Sequence, residues 1–434
     1  MPEENARLQA WPRIVRAARA AEIRIMPPEE GGPFDPEGCY QVVQTPMEHY
    51  TLRRDDAVVD TVSASLRDGA LHATLSFGAE QEHMLRVDRL RDGVRSVVGR
   101  CRVYSLEDDL FHRRAFKGDL HIHSNRSDGR ESPGYVAAAC RRIGMDFMAL
   151  TDHHKYAPSI EAQEAFSGLS IDMRIFRGEE IHPPGNPIHI VNFGGKSSVN
   201  DLFSRPGYRA EIESRARSFG PVPAGADPVL CAEAAWCFER IRELGGLGIF
   251  CHPWWMLAER YHLPRAFVNW LFDARPWDAY EVIGGYHRHE LESNLLQVAH
   301  YHDERAKGRK VPIVGVSDAH GCERDALFGW YYTIVFSESS KLESLIYSIK
   351  DLYSVAVEAV PGSQPRAHGP LRLSLYAQFL MREVFPAHDA LCVEEGRLMI
   401  AHVQSDPSAA KRLAALSGRS ERLRERMWAG QDRP

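Results

Sequence analysis

The pattern of apolar and polar positions along the chain changes near residue 110. Before that point, short β-prone runs at 58–66, 70–77 and 83–87 are separated by polar turns. Arg67-Asp68-Gly69 divides the first two runs and is typical of a hairpin turn, because Asp and Gly tolerate positive φ angles. The pattern predicts an antiparallel β domain over residues 1–110, and none of its residues is a candidate for catalysis.

From residue 111 onward, apolar strands alternate with amphipathic helices. Ser132-Pro133 and Asp227-Pro228 are typical helix starts, and Ser339 or Ser340 is expected to cap a later helix. The apolar runs 147–150, 247–251 and 311–316 predict strands between them. This alternation favours an α/β fold with a parallel sheet or barrel over residues 111–360, with functional side chains at the carboxyl ends of strands. Residues 361–434 are predicted to be a helical C-terminal extension.

Length and composition restrict the function classes. A chain of 434 residues predicts two or three domains. Lys and Arg number 53 against 59 Asp and Glu, so no nucleic-acid partner is expected, because such proteins normally carry a basic excess. No apolar run is long enough for a membrane span or a signal peptide. The eight cysteines form no CxxC pair, which favours reduced thiols in a cytoplasmic protein.

The candidate chemistry begins with two histidines near Lys117. His121 and His123 are two residues apart on a predicted strand, so both imidazoles project from one face and could chelate one metal ion or two adjacent ones. Asp128 follows in the turn Ser127-Asp128-Gly129. Taken alone, such a pair of histidines could also be a hydrogen-bonded pair that faces water.

Further imidazoles and carboxylates follow at the ends of other predicted strands. They are His153, Glu180, His189, His252, Asp318 and His320. A single histidine in an apolar strand, such as His189, is more often a core residue. The whole set nevertheless predicts a centre for zinc, manganese or iron, which neutral imidazoles and carboxylates bind. Adjacent ions of this kind can deprotonate a bridging water molecule and stabilise the attacked group.

The order and spacing of these motifs over residues 117–325 resemble the PHP (polymerase and histidinol phosphatase) superfamily. The resemblance implies a distorted (β/α)7 barrel that binds two to three divalent ions and hydrolyses an ester. It implies nine ligands: His121, His123, Asp128, His153, Glu180, His189, His252, Asp318 and His320. His153, His252 and Asp318 are the candidate catalytic groups. The β-rich segment ahead of Lys117-Gly118-Asp119 also resembles the carbaryl-hydrolase branch of metallohydrolases.

Other residues near these motifs are candidates for contact with the substrate or the ligands. The substrate candidates are His154, Lys155, Trp254, Trp255, His287 and Arg288, with Arg324 as a second possible anion-binding arginine. Surface or packing roles would also explain each of them. Asp119 and Asp152 are expected to orient ligand imidazoles. The polar segment 194–226 is either a lid or an ordinary solvated loop.

The preferred hypothesis is a metal-bridging hydroxide that attacks a small phosphoester. PHP phosphatases commonly place a basic residue after the His-Pro element, whereas Trp254 and Trp255 follow here. Because of that difference, hydrolysis of a carbamate or carboxylic ester with an aryl group is an alternative hypothesis. A nuclease is disfavoured by the net charge of −6. A non-catalytic metal-binding module is the remaining alternative.

Overall fold

Three separated stretches of chain form the first of two compact units. Unit 1 comprises residues 1–114, 379–386 and 419–434, and unit 2 comprises residues 115–378 and 387–418. The computed structural model describes residues 7–27, 32–48, 60–323 and 327–428 of these units. Arg324 lies outside the described residues, as do the first two positions of the β-prone run 58–66.

Unit 1 is built on one curled sheet that is antiparallel except for the parallel pair of β2 and β8. Its strands are β1 (Gln9–Trp11), β2 (Ile14–Arg16), β3 (Arg19–Met26), β4 (Cys39–Pro46), β5 (Asp60–Arg67), β6 (Ala70–Phe77), β7 (Gln81–Arg91) and β8 (Val94–Leu106). Their order in the sheet is β1-β3-β6-β5-β4-β7-β8-β2. The predicted hairpin is confirmed between β5 and β6, where Asp68 and Gly69 have φ angles of 49° and 74°. Apolar side chains from alternate positions of these strands fill one core.

The later segments of unit 1 pack against its first strands. The amide of Arg13 donates to the carbonyl of Met427 over 2.8 Å, and Ile14 forms a parallel bridge with Trp428. The Arg13 guanidinium also lies 2.8 Å from the Glu383 carboxylate, and both side chains are largely buried. Breaking a buried ion pair leaves an uncompensated charge, so these contacts hold the distant segments in place.

The remaining strands lie between Arg114 and His368. They are β9 (Arg114–Asp119), β10 (Phe147–Ala149), β11 (Arg174–Phe176), β12 (Gly178–Ile181), β13 (Ile190–Phe193), β14 (Leu247–Phe250), β15 (Met256–Leu257), β16 (Arg260–Tyr261), β17 (Ala279–Gly284), β18 (Ile313–Val316), β19 (Tyr331–Ser337), β20 (Ser354–Glu358) and β21 (Arg366–His368).

The helices follow mainly from the amphipathic stretches. They are α1 (Asp108–Phe111), α2 (Pro133–Arg142), α3 (Ala157–Glu164), α4 (Tyr208–Ser218), α5 (Pro228–Glu243), α6 (Arg265–Ala274), α7 (Leu291–Ala306), α8 (Leu342–Lys350), α9 (Leu371–Glu383), α10 (Phe385–Val403), α11 (Ala409–Leu416) and α12 (Arg419–Met427). The protein is therefore a mixed α/β structure, as the sequence predicts.

Two sheets form the centre of unit 2. One has the order β11-β10-β9-β19-β20-β21 and the other β12-β13-β14-β17-β18. Strands joined through helices run parallel, such as β14 with β17 and β17 with β18. The predicted parallel pairing does not extend to β12 and β13, which are joined by a short connection without a helix and pair antiparallel. Isolated bridges from Ile122 to Ala319 and from His153 to Glu180 connect strand ends of the two sheets.

The predicted helix starts are confirmed at α2 and α5. Ser132 is the N-cap of α2, and the Asp227 carboxylate accepts from the Val229 amide at the start of α5. The prediction that Ser339 or Ser340 caps α8 is wrong. Lys341 is the N-cap residue, and the Ser339 hydroxyl accepts from its amide instead.

The segment 194–226 is folded against α5. Its helix α4 places the Tyr208 hydroxyl 2.6 Å from the buried Glu233 carboxylate of α5, and the Trp236 indole N–H donates to Glu211. Because these contacts are side-chain bonds at a packed helix pair, the segment is not an ordinary solvated loop. Among the described helices, none is long and apolar enough to cross a membrane.

A buried ionic group joins α10 to the start of β10. The imidazole of His388 lies 2.8 Å from the Asp146 carboxylate and 3.0 Å from that of Asp389. Burial disfavours the imidazolium, but these carboxylates outweigh it and raise the pKa of His388 to about 10. Since the ordinary value is about 6.5, protonated His388 stabilises the fold fully below that pH. The contribution is lost progressively as the pH rises toward 10.

Replacing His388 by glutamine should therefore destabilise unit 2 in a pH-dependent way. We expect a loss of about 3–5 kcal/mol at pH 6, because Asp146 keeps a buried charge without its imidazolium. The difference from the wild type should shrink as the pH approaches 10. Denaturant unfolding at a series of pH values measures this, with His402→Gln on the same helix as the control. A pH-independent difference for His388→Gln would contradict the assignment.

Candidate metal centre

The motif with His121 and His123 meets the motif with Asp318 through a short parallel bridge beyond β9 and β18. Ile122 pairs with Ala319, the His123 amide donates to the Ala319 carbonyl, and the Asp318 amide donates to the His121 carbonyl. This pairing places the Asp318 carboxylate 3.2 Å from the His121 Nε2 atom and 2.9 Å from the His123 Nε2 atom. The two strand ends therefore present one group of ligands.

Glu180 lies at the centre of the cluster, at the end of β12. Its amide donates to the Asp152 carbonyl, and its carbonyl accepts from the His154 amide. Its buried carboxylate lies within 4 Å of six imidazoles, those of His121, His123, His153, His182, His189 and His252. The shortest of these contacts is 2.5 Å, from Glu180 Oε2 to His153 Nδ1. A carboxylate shared in this way can bridge neighbouring metal ions.

A second group of ligands lies toward the solvent. The Asp128 carboxylate is 3.5 Å from the His153 Nε2 atom and 3.3 Å from the His320 Nε2 atom. The rings of His153 and His320 stack on His123, with centroids 4.2 and 4.3 Å away. Because the Asp128 side chain is 57% exposed, this side of the cluster is open to a substrate.

A third group lies on the other side of Glu180. The His189 Nδ1 atom is 2.9 Å from Glu180 Oε1 and 2.9 Å from the His252 Nε2 atom. The structure thus brings all nine sequence-predicted ligands together in three overlapping sets. The sets are His121, His123, Glu180 and Asp318; Glu180, His189 and His252; and His123, Asp128, His153 and His320.

Several buried atoms of the cluster have no hydrogen-bond partner among the described residues. They are His121 Nε2, His123 Nδ1 and both Glu180 oxygens. Buried polar atoms are normally satisfied, so a converging group of unsatisfied nitrogen and oxygen donors fits bound cations.

The carboxylates of the cluster are held in their charged form. Burial by itself would raise the pKa of Asp318, yet the imidazoles of His121, His123 and His252 outweigh burial and hold it below its usual range. The pKa of Glu180 is lowered against burial in the same way, chiefly by His121 and His189. Ionised carboxylates are the form that binds metal.

Three non-glycine residues of the cluster have positive φ angles. The values are 59° at His154, 22° at His252 and 48° at Asp318. Such conformations are costly for residues with a Cβ atom and persist where the surrounding structure enforces them. They direct side chains at the strand ends into the cluster.

The two predicted orienting carboxylates act on the backbone. Asp119 accepts from the amides of His121 and Ser317, whereas Asp152 accepts from the amides and hydroxyls of Ser124 and Ser127. The expected hydrogen bonds to ligand imidazoles are absent among the described residues. Asp119 instead joins the two ligand-bearing strand ends, and Asp152 shapes the turn before Asp128.

The two predicted tryptophans point to different places. The Trp255 ring lies 5.9 Å from the His189 ring and 4.9 Å from the His262 ring, beside the cluster. The buried Trp254 ring instead packs edge-on against Tyr261 and lies near His300. Only Trp255 is therefore placed to touch a substrate at the ligands.

The remaining substrate candidates divide in a similar way. The His154 ring stacks near His182, with centroids 4.4 Å apart, and so borders the cluster. The Lys155 ammonium donates to the Arg126 carbonyl. His287 caps a short 3-10 turn at Arg288–Glu290, and the Arg288 guanidinium donates to the Pro361 carbonyl above the Trp330 ring. Both cations are therefore engaged in contacts away from the ligands.

Comparisons with known proteins give partial likenesses. No protein-family model matches the chain. A 53-residue stretch, 12% of this chain and 9% of the relative, is 45% identical to the DNA polymerase/3'-5' exonuclease PolX of Bacillus subtilis. An uncharacterized protein of Methanocaldococcus jannaschii is 23% identical over 190 residues, which cover 41% of this chain and 88% of that protein.

Two solved structures are similar at low identity. One is a two-domain protein from Bacteroides vulgatus that contains a predicted PHP-like metal-dependent phosphoesterase. It has a TM-score of 0.40 and 18% identity, over 56% of this chain and 65% of that one. The other is an amidohydrolase from Chromobacterium violaceum, with a TM-score of 0.30 and 19% identity, over 48% of this chain and 89% of that one.

Each likeness is either short or low in identity, so the resemblance to the PHP superfamily rests on the sequence motifs. The finer resemblance to the carbaryl-hydrolase branch stays a prediction, since the relatives named above do not bear on it.

Three residues that contact the cluster were not predicted. Glu281 lies in the middle of β17, the Cys251 thiol lies next to His252, and His182 directly follows β12. The His182 Nε2 atom is 2.9 Å from His153 Nδ1. Glu281 could have been found from the sequence, because it is a carboxylate inside the apolar run from Ala279 to Ile283. Such a group is rarely buried without a partner.

Proposed function

We propose that this protein is a metal-dependent hydrolase of the PHP type that cleaves a small phosphoester. The observation that carries the proposal is the Glu180 carboxylate, which contacts members of all three ligand sets. The donors suit zinc, manganese or iron, and we propose one ion for each set. The barrel implied by the PHP resemblance would run in the order β9, β10, β12, β13, β14, β17, β18, with the two isolated bridges completing the circle.

Divalent ions at these sets would activate a water molecule and offset negative charge on the attacked ester. The exposed members of the cluster mark where an ester can approach. His153, Asp318 and His320 have side chains that are 23%, 17% and 31% exposed, whereas His121 and Glu180 are fully buried. These exposures support His153 as the proposed group that transfers a proton to a departing alcohol, with Asp318 and His252 proposed to hold the water. Because these imidazoles are held in place, they need little reorganisation when negative charge develops on the attacked ester.

Within the part of the chain that the structure describes, imidazoles border the open side. His154 and His182 lie beside His153, and His262 lies beside His189. Neutral imidazoles can donate hydrogen bonds to a phosphoryl oxygen. With Lys155 and Arg288 engaged elsewhere, the proposed phosphoester would be held by ions and by these rings.

A panel of substrates tests the proposal. Phosphomonoesters, phosphodiesters, aryl carbamates and carboxylic esters are assayed with protein loaded with Mn²⁺ or Zn²⁺, and bound metal is measured in the same samples. We expect turnover of at least one phosphoester and competitive inhibition by inorganic phosphate. Lack of turnover on every class by metal-loaded protein would contradict an enzymatic function. Fewer than two ions per chain would favour a non-catalytic metal-binding module.

A carbamate or carboxylic ester with an aryl group is the second candidate, and Trp255 favours it. The Trp255 ring lies beside His189 and within 6.1 Å of the His252 ring, where it could stack on a flat leaving group. Trp255→Ala should lower kcat/KM for aryl substrates roughly 2- to 10-fold, because an aromatic pair contributes about 0.5–1.5 kcal/mol. Alkyl esters of the same acid provide the control and should change little. An equal loss for alkyl and aryl esters would remove the support for this candidate.

A further inference from the structure

One buried carboxylate lies behind the metal centre and faces two of its ligands. Glu281 of β17 places Oε2 3.2 Å from the His121 Nδ1 atom and Oε1 3.4 Å from the His252 Nδ1 atom. All three side chains are almost fully buried. The rings of His121 and His252 lie nearly parallel, with centroids 5.7 Å apart, so one carboxylate reaches both.

The opposite nitrogens of the same two rings face the centre. The His121 Nε2 atom lies 3.2 Å from Asp318 and 3.4 Å from Glu180, and the His252 Nε2 atom lies 2.9 Å from His189. A neutral imidazole carries one N–H, and the other nitrogen offers a lone pair. An anion at Nδ1 therefore fixes the proton there and leaves Nε2 free for a metal ion.

The two histidines belong to different sets among the nine predicted ligands, although both also lie within one further group with Cys251 and Glu281. His121 lies with His123 and Asp318, whereas His252 lies with His189, and Glu180 is common to both sets. The strand around Glu281 is also irregular, since the pairing of β17 with β18 shifts between Glu281 and Ile283. A bulge of this kind redirects a side chain, and here it lies directly beside Glu281.

We propose that Glu281 is a positioning residue that fixes His121 and His252 together in the tautomer that binds metal at Nε2. The inference rests on the proposed metal-dependent function and adds a residue to it. A glutamine at this position has one acceptor oxygen and one donor group, so it can satisfy only one Nδ1–H. The other ring is then driven to carry its proton on Nε2, where it would block the metal.

Glu281→Gln tests the proposal, with Glu233→Gln as the matched control. Glu233 is also a buried glutamate, but its partners are Asn186, Tyr208 and Arg209. Binding of Zn²⁺ is measured by competition with a chromophoric chelator, and the apoproteins are compared by thermal unfolding. We expect Glu281→Gln to weaken binding of at least one ion 10- to 100-fold, the usual effect of losing a partner of a ligand. Full stoichiometry should return at saturating Zn²⁺, and Glu233→Gln should bind as the wild type does.

Two results would overturn the proposal. Wild-type affinity in folded Glu281→Gln would show that the carboxylate does not position the rings. Permanent loss of one ion per chain, not restored by saturating Zn²⁺, would make Glu281 a ligand, together with Cys251, instead of a positioning residue. These measurements need no turnover, so a wild-type protein that binds metal but hydrolyses no ester would refute the proposed function alone. A wild-type protein that binds no metal would overturn both.

The unsubstituted protein offers a second measurement if Glu281→Gln does not fold. Nitrogen-15 spectra of histidine-labelled, Zn²⁺-loaded protein should show Nδ1–H protons on His121 and His252 that exchange slowly with solvent, because both rings are buried. The resonances are assigned by their loss in His121→Asn and His252→Asn. Spectra in which either ring is protonated at Nε2 would overturn the proposal.

Discussion

Asp318→Ala should abolish ester hydrolysis and strongly reduce metal retention. Asp318 lies within 4 Å of three ligand imidazoles, those of His121, His123 and His252, and its carboxylate is the negative charge that they share with Glu180. Removing it deletes a ligand oxygen and one of the two negative charges around these imidazoles. We expect activity to fall by more than about 100-fold, since even a residue that only supports a ligand costs 10–100-fold.

The measurement combines metal analysis with the ester panel. Asp318→Ala and His123→Ala are compared with Asp351→Ala, an exposed carboxylate at the end of α8. The control should keep wild-type metal content and activity. The two site variants should fold, because each deletion removes a charge or ring from a cluster of unsatisfied donors. Full activity in either site variant would refute the assignment of the centre.

Gly284→Ala should strongly destabilise unit 2. Gly284 ends β17 with a φ angle of 146°, a region that residues with a Cβ atom rarely adopt. An added Cβ would overlap the Val316 carbonyl of the neighbouring strand β18. Because this neighbour is backbone, it cannot move aside without breaking the pairing of β17 with β18.

We expect a loss of more than about 4 kcal/mol, which combines backbone strain with a steric overlap. That corresponds to a fall in Tm of about 10 °C or more for a unit of this size. Gly220→Ala is the control, because that glycine is exposed and a Cβ there meets nothing within 4 Å. Metal content should fall with stability, since β17 carries Glu281 and Asp318 follows β18. An unchanged Tm for Gly284→Ala would show that the strand pair tolerates a shift.

Seven of the nine motif residues follow a strand and could be anticipated for that reason, whereas Glu180 lies within β12 and His189 precedes the antiparallel strand β13. In alternating structures the carboxyl ends of strands meet at one edge, so residues distant in sequence become neighbours. His121 and Asp318 illustrate this, because they are 197 residues apart in the sequence, yet His121 Nε2 lies 3.2 Å from Asp318 Oδ1. The N-caps Ser132 and Asp227 could also be predicted, because helix capping depends on only a few adjacent residues.

Glu281 and the two tryptophans show what local patterns cannot predict. Glu281 belongs to no motif, and its role depends on two rings supplied by other strands. Trp254 and Trp255 are adjacent and chemically alike, and only the path of the backbone after Pro253 turns one toward His189 and the other toward Tyr261. Asp152 was expected to bind an imidazole, but the turn at Ser124 and Ser127 offers it four closer donors.

The discontinuous composition of unit 1 limits how the protein can be rearranged by recombination. The amide of Arg13, just before β2, donates to the Met427 carbonyl, and the Arg13 guanidinium donates to the Glu383 carboxylate. The unit is therefore complete only when segments more than 350 residues apart are inherited together. A gene fragment that ends within α10 would encode neither unit in full. A gene fragment for the N-terminal β-rich region alone would therefore lack two segments of its own unit.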